Sequence, residues 1–327
     1  MTMVTSIAAP AFADAYGIAL YGTHYLDQGN ITVEVRGGQY YVNDVLDDDG
    51  PVIIKNHEDE SDTTSVSNTI TIHAEDGEAN VTLKDVDIVT NGEANKSGIT
   101  VKADKTKTAT ATVNVTLDNV TVDAREDASS EGATGGAGMT IQGNGVVNIE
   151  LDGKNELLAG DGHAGLEKNR TESVGSLNIN DSNEDGGSLT AIGGDGGAGI
   201  GGGKGDMGSG LYILNGTVNA YGKGGGAGIG GGDGAGAHMV GLNAGVPGVN
   251  DAYEPTVTAV GSEGAAGIGG GKGGRLTDAV LSSGTLTGTM ETLEYLQAHG
   301  AQTIVFTTSQ RTSSFQISDL LALADEG

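Results

Sequence analysis

Apolar and polar residues alternate along this chain in short, recurring runs. Residues 31–35 read Ile-Thr-Val-Glu-Val, 69–73 Thr-Ile-Thr-Ile-His, 113–117 Val-Asn-Val-Thr-Leu and 177–179 Leu-Asn-Ile. A period of two sends successive side chains to opposite faces, so each run predicts a strand with one buried face. Similar runs occupy 81–83, 86–88, 99–101, 120–122, 139–141, 146–151 and 211–214, with polar turns between them and no helical period interleaved. The pattern changes near the end. Residues 289–300 predict a helix closing at Gly300, 303–306 a strand, and 315–323 a further amphipathic run.

The runs belong to a larger repeat. Ala-Gly-Ile-Gly-Gly-Gly begins at Ala198, Ala227 and Ala266, copies 29 and then 39 residues apart. Each follows a strand-like Leu-Thr-Ala-Ile, Val-Asn-Ala-Tyr or Val-Thr-Ala-Val. Fainter echoes stand at Gly165-Leu166, Gly138-Met139 and Gly98-Ile99. A fixed core with elastic spacing points to stacked coils whose loops vary in length. Short strands without helices then predict an all-β fold, a right-handed parallel β-helix in which every strand pairs above and below. The Gly runs suit tight corners where backbones approach closely. A second predicted corner column comprises Asp85, Asp118, Asp152, Asn180 and Asn215, residues that bond neighbouring backbone without any ligand.

The expected organisation has four parts. Residues 1–13 end in Ala-Phe-Ala and read as the tail of a signal peptide. Residues 14–66 form a first coil or cap, 67–275 the repeats, and 276–327 a small α/β cap or the start of a second module.

Composition narrows the function. Gly supplies 59 residues and Pro 4, with no three-residue Gly period, which excludes collagen. Trp is absent and Phe occurs three times, so an aromatic core is not expected. Sixteen basic against 44 acidic residues give a net charge of −28, which repels nucleic-acid backbones and anionic membranes. No apolar stretch is long enough for a membrane-spanning helix. The absence of Cys excludes disulfides, thiolate metal sites and cysteine nucleophiles.

Candidate chemistry is sparse. Residues 181–186, Asp-Ser-Asn-Glu-Asp-Gly, match the first half of a calcium loop, with Asp181, Asn183 and Asp185 as the ligands. Ile192 stands where such a loop places its bidentate Glu, so another carboxylate such as Asp195 must help; a solvated turn explains the same residues. No cofactor is required, and calcium is the one candidate ion. The acidic runs at 47–49 and 58–62 read as exposed loops. Parallel β-helices include pectate lyases and polygalacturonases, but only five Arg occur and none sits in a lyase pattern. An inverting carboxylate pair has no visible motif either, and His163 reads as a variant of the repeat rather than a catalyst. The six His show no zinc spacing.

Residues 187–203 read Gly-Ser-Leu-Thr-Ala-Ile-Gly-Gly-Asp-Gly-Gly-Ala-Gly-Ile-Gly-Gly-Gly. This resembles, almost word for word, the Gly-rich solenoidal carbohydrate-binding and adhesin-like surface proteins of Gram-positive bacteria. The match spans roughly residues 66 to 275. It implies an extracellular or cell-surface module whose partner is a polysaccharide or a host or cell-wall glycan, bound without catalysis. Tyr212, Tyr221 and Tyr253 lie near repeat strands and are the candidate sugar-stacking residues, although lateral packing explains them equally. A polysaccharide lyase or hydrolase and a structural stalk are the alternatives.

Overall fold

The computed structural model describes residues 22–47, 50–106, 109–125, 134–242 and 255–274. It also gives the backbone of strands Ala279–Leu281, Thr285–Thr287, Thr303–Thr307 and Thr312–Gln316. The alternating runs are strands. In Ile31–Arg36, Ile70–Ala74, Glu78–Lys84 and Thr256–Val260, buried residues alternate with partly exposed ones as the period of two requires. The chain is nearly all β, arranged in three sheets of eleven, ten and seven strands. Pairing is parallel along the repeats. Antiparallel pairing joins Ile31–Arg36, Gln39–Val42 and Val45–Asp47 at one edge, and Thr303–Thr307 with Thr312–Gln316 at another.

The chain visits the three sheets in turn. Ile99–Ala103 lies in the ten-stranded sheet, Thr112–Asp118 in the eleven-stranded sheet and Thr121–Ala124 in the seven-stranded sheet. Met139–Gln142 then returns to pair beside Ile99–Ala103. Every later circuit of the described residues repeats this order up to Ile268–Gly269. The predicted strand at 303–306 is present. The predicted leader at 1–13 and helix at 289–300 lie outside the described residues, as does most of the run at 315–323. Among the described residues no helix is long and apolar enough to cross a membrane.

Registers explain the six sequence echoes. Ile99, Met139, Leu166, Ile200, Ile229 and Ile268 are successive register partners in the ten-stranded sheet. Ile31 and Ile70 extend the column downward, so the first coil already carries the repeat. All eight side chains are buried. The two lower members escaped the sequence pattern because Asn30 and Thr69 precede them instead of Gly. A second interior column runs through Val81, Val115, Ile149, Ile179, Ile213 and Leu242 in the eleven-stranded sheet. Burying each such aliphatic side chain contributes about 1.5–3 kcal/mol. The core is therefore a stack of aliphatics in which aromatics are not needed.

Gly201, Gly230 and Gly269 show why the three full copies of the corner motif keep Gly after Ile. Their φ values are +136°, +140° and +140°, a region L side chains avoid. They also stack: a Cβ on Gly201 would strike the carbonyl oxygen of Gly230, and one on Gly230 that of Gly269. The predicted acidic corner column is only partly in register. Asp118 and Asp152 are partners, but Lys84 occupies the next place and Asn180 pairs with Glu150. Asp85 instead adopts φ +52°, a turn role that the Asx geometry tolerates.

Outward polar residues also stack. Asn80, Asn114, Asn148 and Asn178 are register partners on the eleven-stranded sheet. Each amide nitrogen donates to the oxygen below: Asn114 to Asn80 at 2.8 Å, Asn148 to Asn114 at 2.7 Å, and Asn178 to Asn148 at 2.8 Å.

Candidate polar groove on the ten-stranded sheet

Along the ten-stranded sheet, the column beside the aliphatic one reads Thr100, Thr140, Glu167 and Gly201. Hydroxyls thus give way to a carboxylate, and the carboxylate to a residue with no side chain. The result is an open groove of about 620 Å³, bordered by residues from four successive circuits. Gly203 makes room at its head: a Cβ there would stand 2.8 Å from Glu167 Oε2.

Glu167 is only 5% exposed, and its charge is fully bonded. Oε2 accepts from the Ala164 backbone N–H at 3.0 Å and lies 3.1 Å from His163 Nδ1. Oε1 accepts from Asn169 Nδ2 at 3.1 Å, and Asn169 Oδ1 accepts from the Gly203 N–H at 2.9 Å. The other nitrogen of His163 faces Asn95 Oδ1 at 3.1 Å. Both ring nitrogens thus face side-chain oxygens, an arrangement that favours the doubly protonated imidazolium. The bond to Glu167 raises the His163 pKa, against an opposing effect of burial, and the charges of Glu167 and Glu172 add to the rise. Both nitrogens are engaged by the chain itself. The chain Asn95–His163–Glu167–Asn169–Gly203 is a rigid polar framework able to present donors and acceptors to hydroxyl groups.

Around this framework stand three further carboxylates. Asp161 Oδ1 accepts from the Asp195 N–H at 3.1 Å, Glu172 Oε2 from Gln142 Nε2 at 3.4 Å, and Asp206 Oδ1 from Thr171 Oγ1 at 3.1 Å. Sequence reasoning passed over His163 as a repeat variant and missed Glu167 and Asn169. The strand of Glu167, Leu166–Glu167, is two residues long and leaves no alternation to read. His163 and Asn95 are 68 residues apart.

The sequence-predicted residues fall elsewhere. Asp181 sits in its loop with Oδ2 accepting from the Gly187 N–H at 3.1 Å, while Oδ1 has no partner. Asn183 donates to Asp152 Oδ1 at 3.0 Å and to Asp185 Oδ2 at 3.4 Å. The loop thus brings Asn183 and Asp185 together and turns Asp181 toward backbone. It also recruits Glu150, whose Oε1 accepts from Ser182 N–H, Ser182 Oγ and Asn183 N–H at 2.6, 2.8 and 3.2 Å. Burial raises the pKa of Glu150, Asp152 and Asp181, and neighbouring carboxylates push each of them further up. Among the described residues no set of three or more His, Asp or Glu side chains is arranged to hold a metal ion.

Tyr212 lies on the eleven-stranded sheet and Tyr221 on the seven-stranded one, each half-buried between buried neighbours. Both point outward, but from different sheets, so they share no stacking platform. Tyr212 continues the asparagine column as the partner of Asn178. Tyr253 lies outside the described residues.

A second cavity, of about 540 Å³, adjoins His57. There Nδ1 faces Asp27 at 3.2 Å and Nε2 faces the Thr64 carbonyl at 2.7 Å. His57 is thereby a pin between loops, bonded on both sides by the chain itself.

Compared with known proteins, the chain matches no family model, no curated protein and no solved structure.

Proposed function

We propose that this chain is a right-handed parallel β-helix displayed outside the cell, where it binds polysaccharide without cleaving it. The cyclic order of three parallel sheets supports the helix, and parallel crossovers are right-handed almost without exception. The resemblance to Gly-rich carbohydrate-binding surface proteins supports the setting. The observation that carries the binding reading is the groove itself. It is open, about 620 Å³ in volume, and walled by amide, hydroxyl and carboxylate groups held in place by mutual bonds. Such a surface exchanges hydrogen bonds with sugar hydroxyls at little cost in side-chain ordering. The aromatic platform expected from Tyr212, Tyr221 and Tyr253 is not needed for this reading.

A glycan array probed with the purified chain, with and without calcium, tests it. Binding that is lost in Asn169→Ala is the expected result, because that change removes the link between Glu167 and Gly203. No binding to any glycan in either condition would sink the reading. Release of new sugar ends from a bound glycan would replace it with the enzyme reading. Calcium is not required here. Chelation is expected to leave the thermal midpoint unchanged, whereas a rise on adding calcium would assign an ion to Asp181, Asn183 and Asp185.

A further inference from the structure

The groove is lined by more acidic than basic side chains. Asp161, Glu167, Glu172 and Asp206 line it, against one lysine, Lys204, and His163. The Glu167 charge is met by His163, Asn169 and a backbone N–H. The remaining three carboxylates have no such bonded cation, although Glu172 lies within electrostatic reach of His163. Their bonded partners among the described residues are a backbone N–H, a glutamine amide and a threonine hydroxyl, all uncharged. Lys204 does not offset them by a close contact: its Nζ lies 3.9 Å from Asp195, the ion pair found for it. Three anionic groups therefore border an open polar groove with no cation bonded to them, on a chain already carrying −28.

We infer that the groove takes a glycan with free amines, a polymer of 2-amino-2-deoxyhexose, and rejects polyuronates. The inference rests on the glycan-binding reading above. An ammonium on a sugar ring donates to Glu172 or Asp206 in charge-assisted bonds, roughly twice as strong as those a neutral hydroxyl makes. N-acetylation converts that ammonium into a neutral amide and removes the advantage. A uronate brings a carboxylate against the same three anions and against the field of the whole chain. The framework of His163, Glu167 and Asn169 supplies hydroxyl contacts common to every sugar. The three carboxylates without a bonded cation supply the preference.

Calorimetric titration with glucosamine oligomers, N-acetylglucosamine oligomers and oligogalacturonate tests this. Glucosamine oligomers are expected to bind about tenfold more tightly than their acetylated counterparts at low salt, an advantage that shrinks as salt screens the carboxylates. The double variant Glu172→Gln, Asp206→Asn is expected to erase that advantage, bringing the free and acetylated oligomers to equal affinity. Glu172 is exposed and Asp206 half-exposed, so the variant keeps the fold. Equal affinity for free and acetylated oligomers would overturn the amine inference and leave glycan binding standing. Preference for oligogalacturonate, with or without calcium, would overturn it in the same way. Binding of none of the three, nor of any glycan on an array, would remove the glycan reading and this inference with it.

Discussion

Glu167 and Lys168 are neighbours in the chain with opposite settings. Glu167 faces the groove and is met by the His163 ring and the Asn169 amide. Lys168 is 0% exposed, and its ammonium donates to the carbonyls of Ser209 at 2.6 Å and Ser173 at 3.3 Å, with no carboxylate among these partners. Burial pushes its pKa from 10.5 down to about 8. A folded pKa below the unfolded one means that the folded state holds its proton less tightly. Stability therefore rises as pH climbs from about 8 to 10.5, by on the order of 3 kcal/mol from this group alone. Lys168→Met is expected to flatten that rise, measured by denaturant unfolding at pH 7.5 and 10.5 against the parent chain. His163 behaves in the opposite sense. Its folded pKa is raised, so its contribution is fully present below the unfolded value near 6.5 and fades as pH rises through the folded value. Glu167→Gln is expected to bring the His163 titration, followed by NMR, back down toward the unperturbed imidazole value.

The strand is the scale at which the sequence was most readable. Period-two alternation located the strands, and the Ala-Gly-Ile-Gly-Gly-Gly copies marked one corner so well that Ile200, Ile229 and Ile268 fall into register without adjustment. Reading failed where a feature depends on loop length. The asparagine column needs Asn80, Asn114, Asn148 and Asn178 to stack; each stands between two apolar residues in its strand, but the spacings of 34, 34 and 30 residues are set by the intervening loops. The groove needs Asn95, His163 and Gly203 to meet from three circuits, and the two-residue strand Leu166–Glu167 hides its central carboxylate. The calcium motif was readable for the reverse reason, because its residues are consecutive. Loop packing then turned Asp181 to the Gly187 N–H and left Asn183 and Asp185 bonded at the rim. At this scale the asparagine column makes a measurable prediction. Asn148 donates to Asn114 and accepts from Asn178, so Asn148→Ala removes two side-chain bonds. A loss of about 1–3 kcal/mol in denaturant unfolding is expected. Asn148→Asp is expected to cost more, since a carboxylate cannot donate to Asn114.

Over the whole molecule, the excess of acid and the stacked architecture pull against each other. Stacking parallel strands places like residues one above another, and a chain of net charge −28 thereby stacks carboxylates. Some are relieved: Arg125 bonds Asp123 and holds its pKa down, and hydrogen bonds from His73 and Lys102, outweighing burial, do the same for Asp104. Others are not. Glu150 is 1% exposed with Oε2 unbonded, and burial and the nearby Asp152 raise its pKa. A carboxyl whose folded pKa lies above the unfolded one binds its proton more tightly when folded. Its contribution is fully present below the unfolded value near 4 and is lost as pH rises through the folded value. The pairs at Asp123 and Asp104 act in reverse, because their lowered values give stability above the unfolded pKa that is lost on acidification. The net acid response of the parent chain is thus a difference of opposing contributions, and one substitution isolates the loop. Glu150→Gln keeps an oxygen for the Ser182 and Asn183 N–H groups and removes the buried charge. This variant is expected to unfold at a higher temperature than the parent at pH 7, with the gain shrinking toward pH 4, where Glu150 is already protonated. A variant less stable than the parent at pH 7 would mean that the bonds Glu150 makes to the loop outweigh the cost of burying its charge.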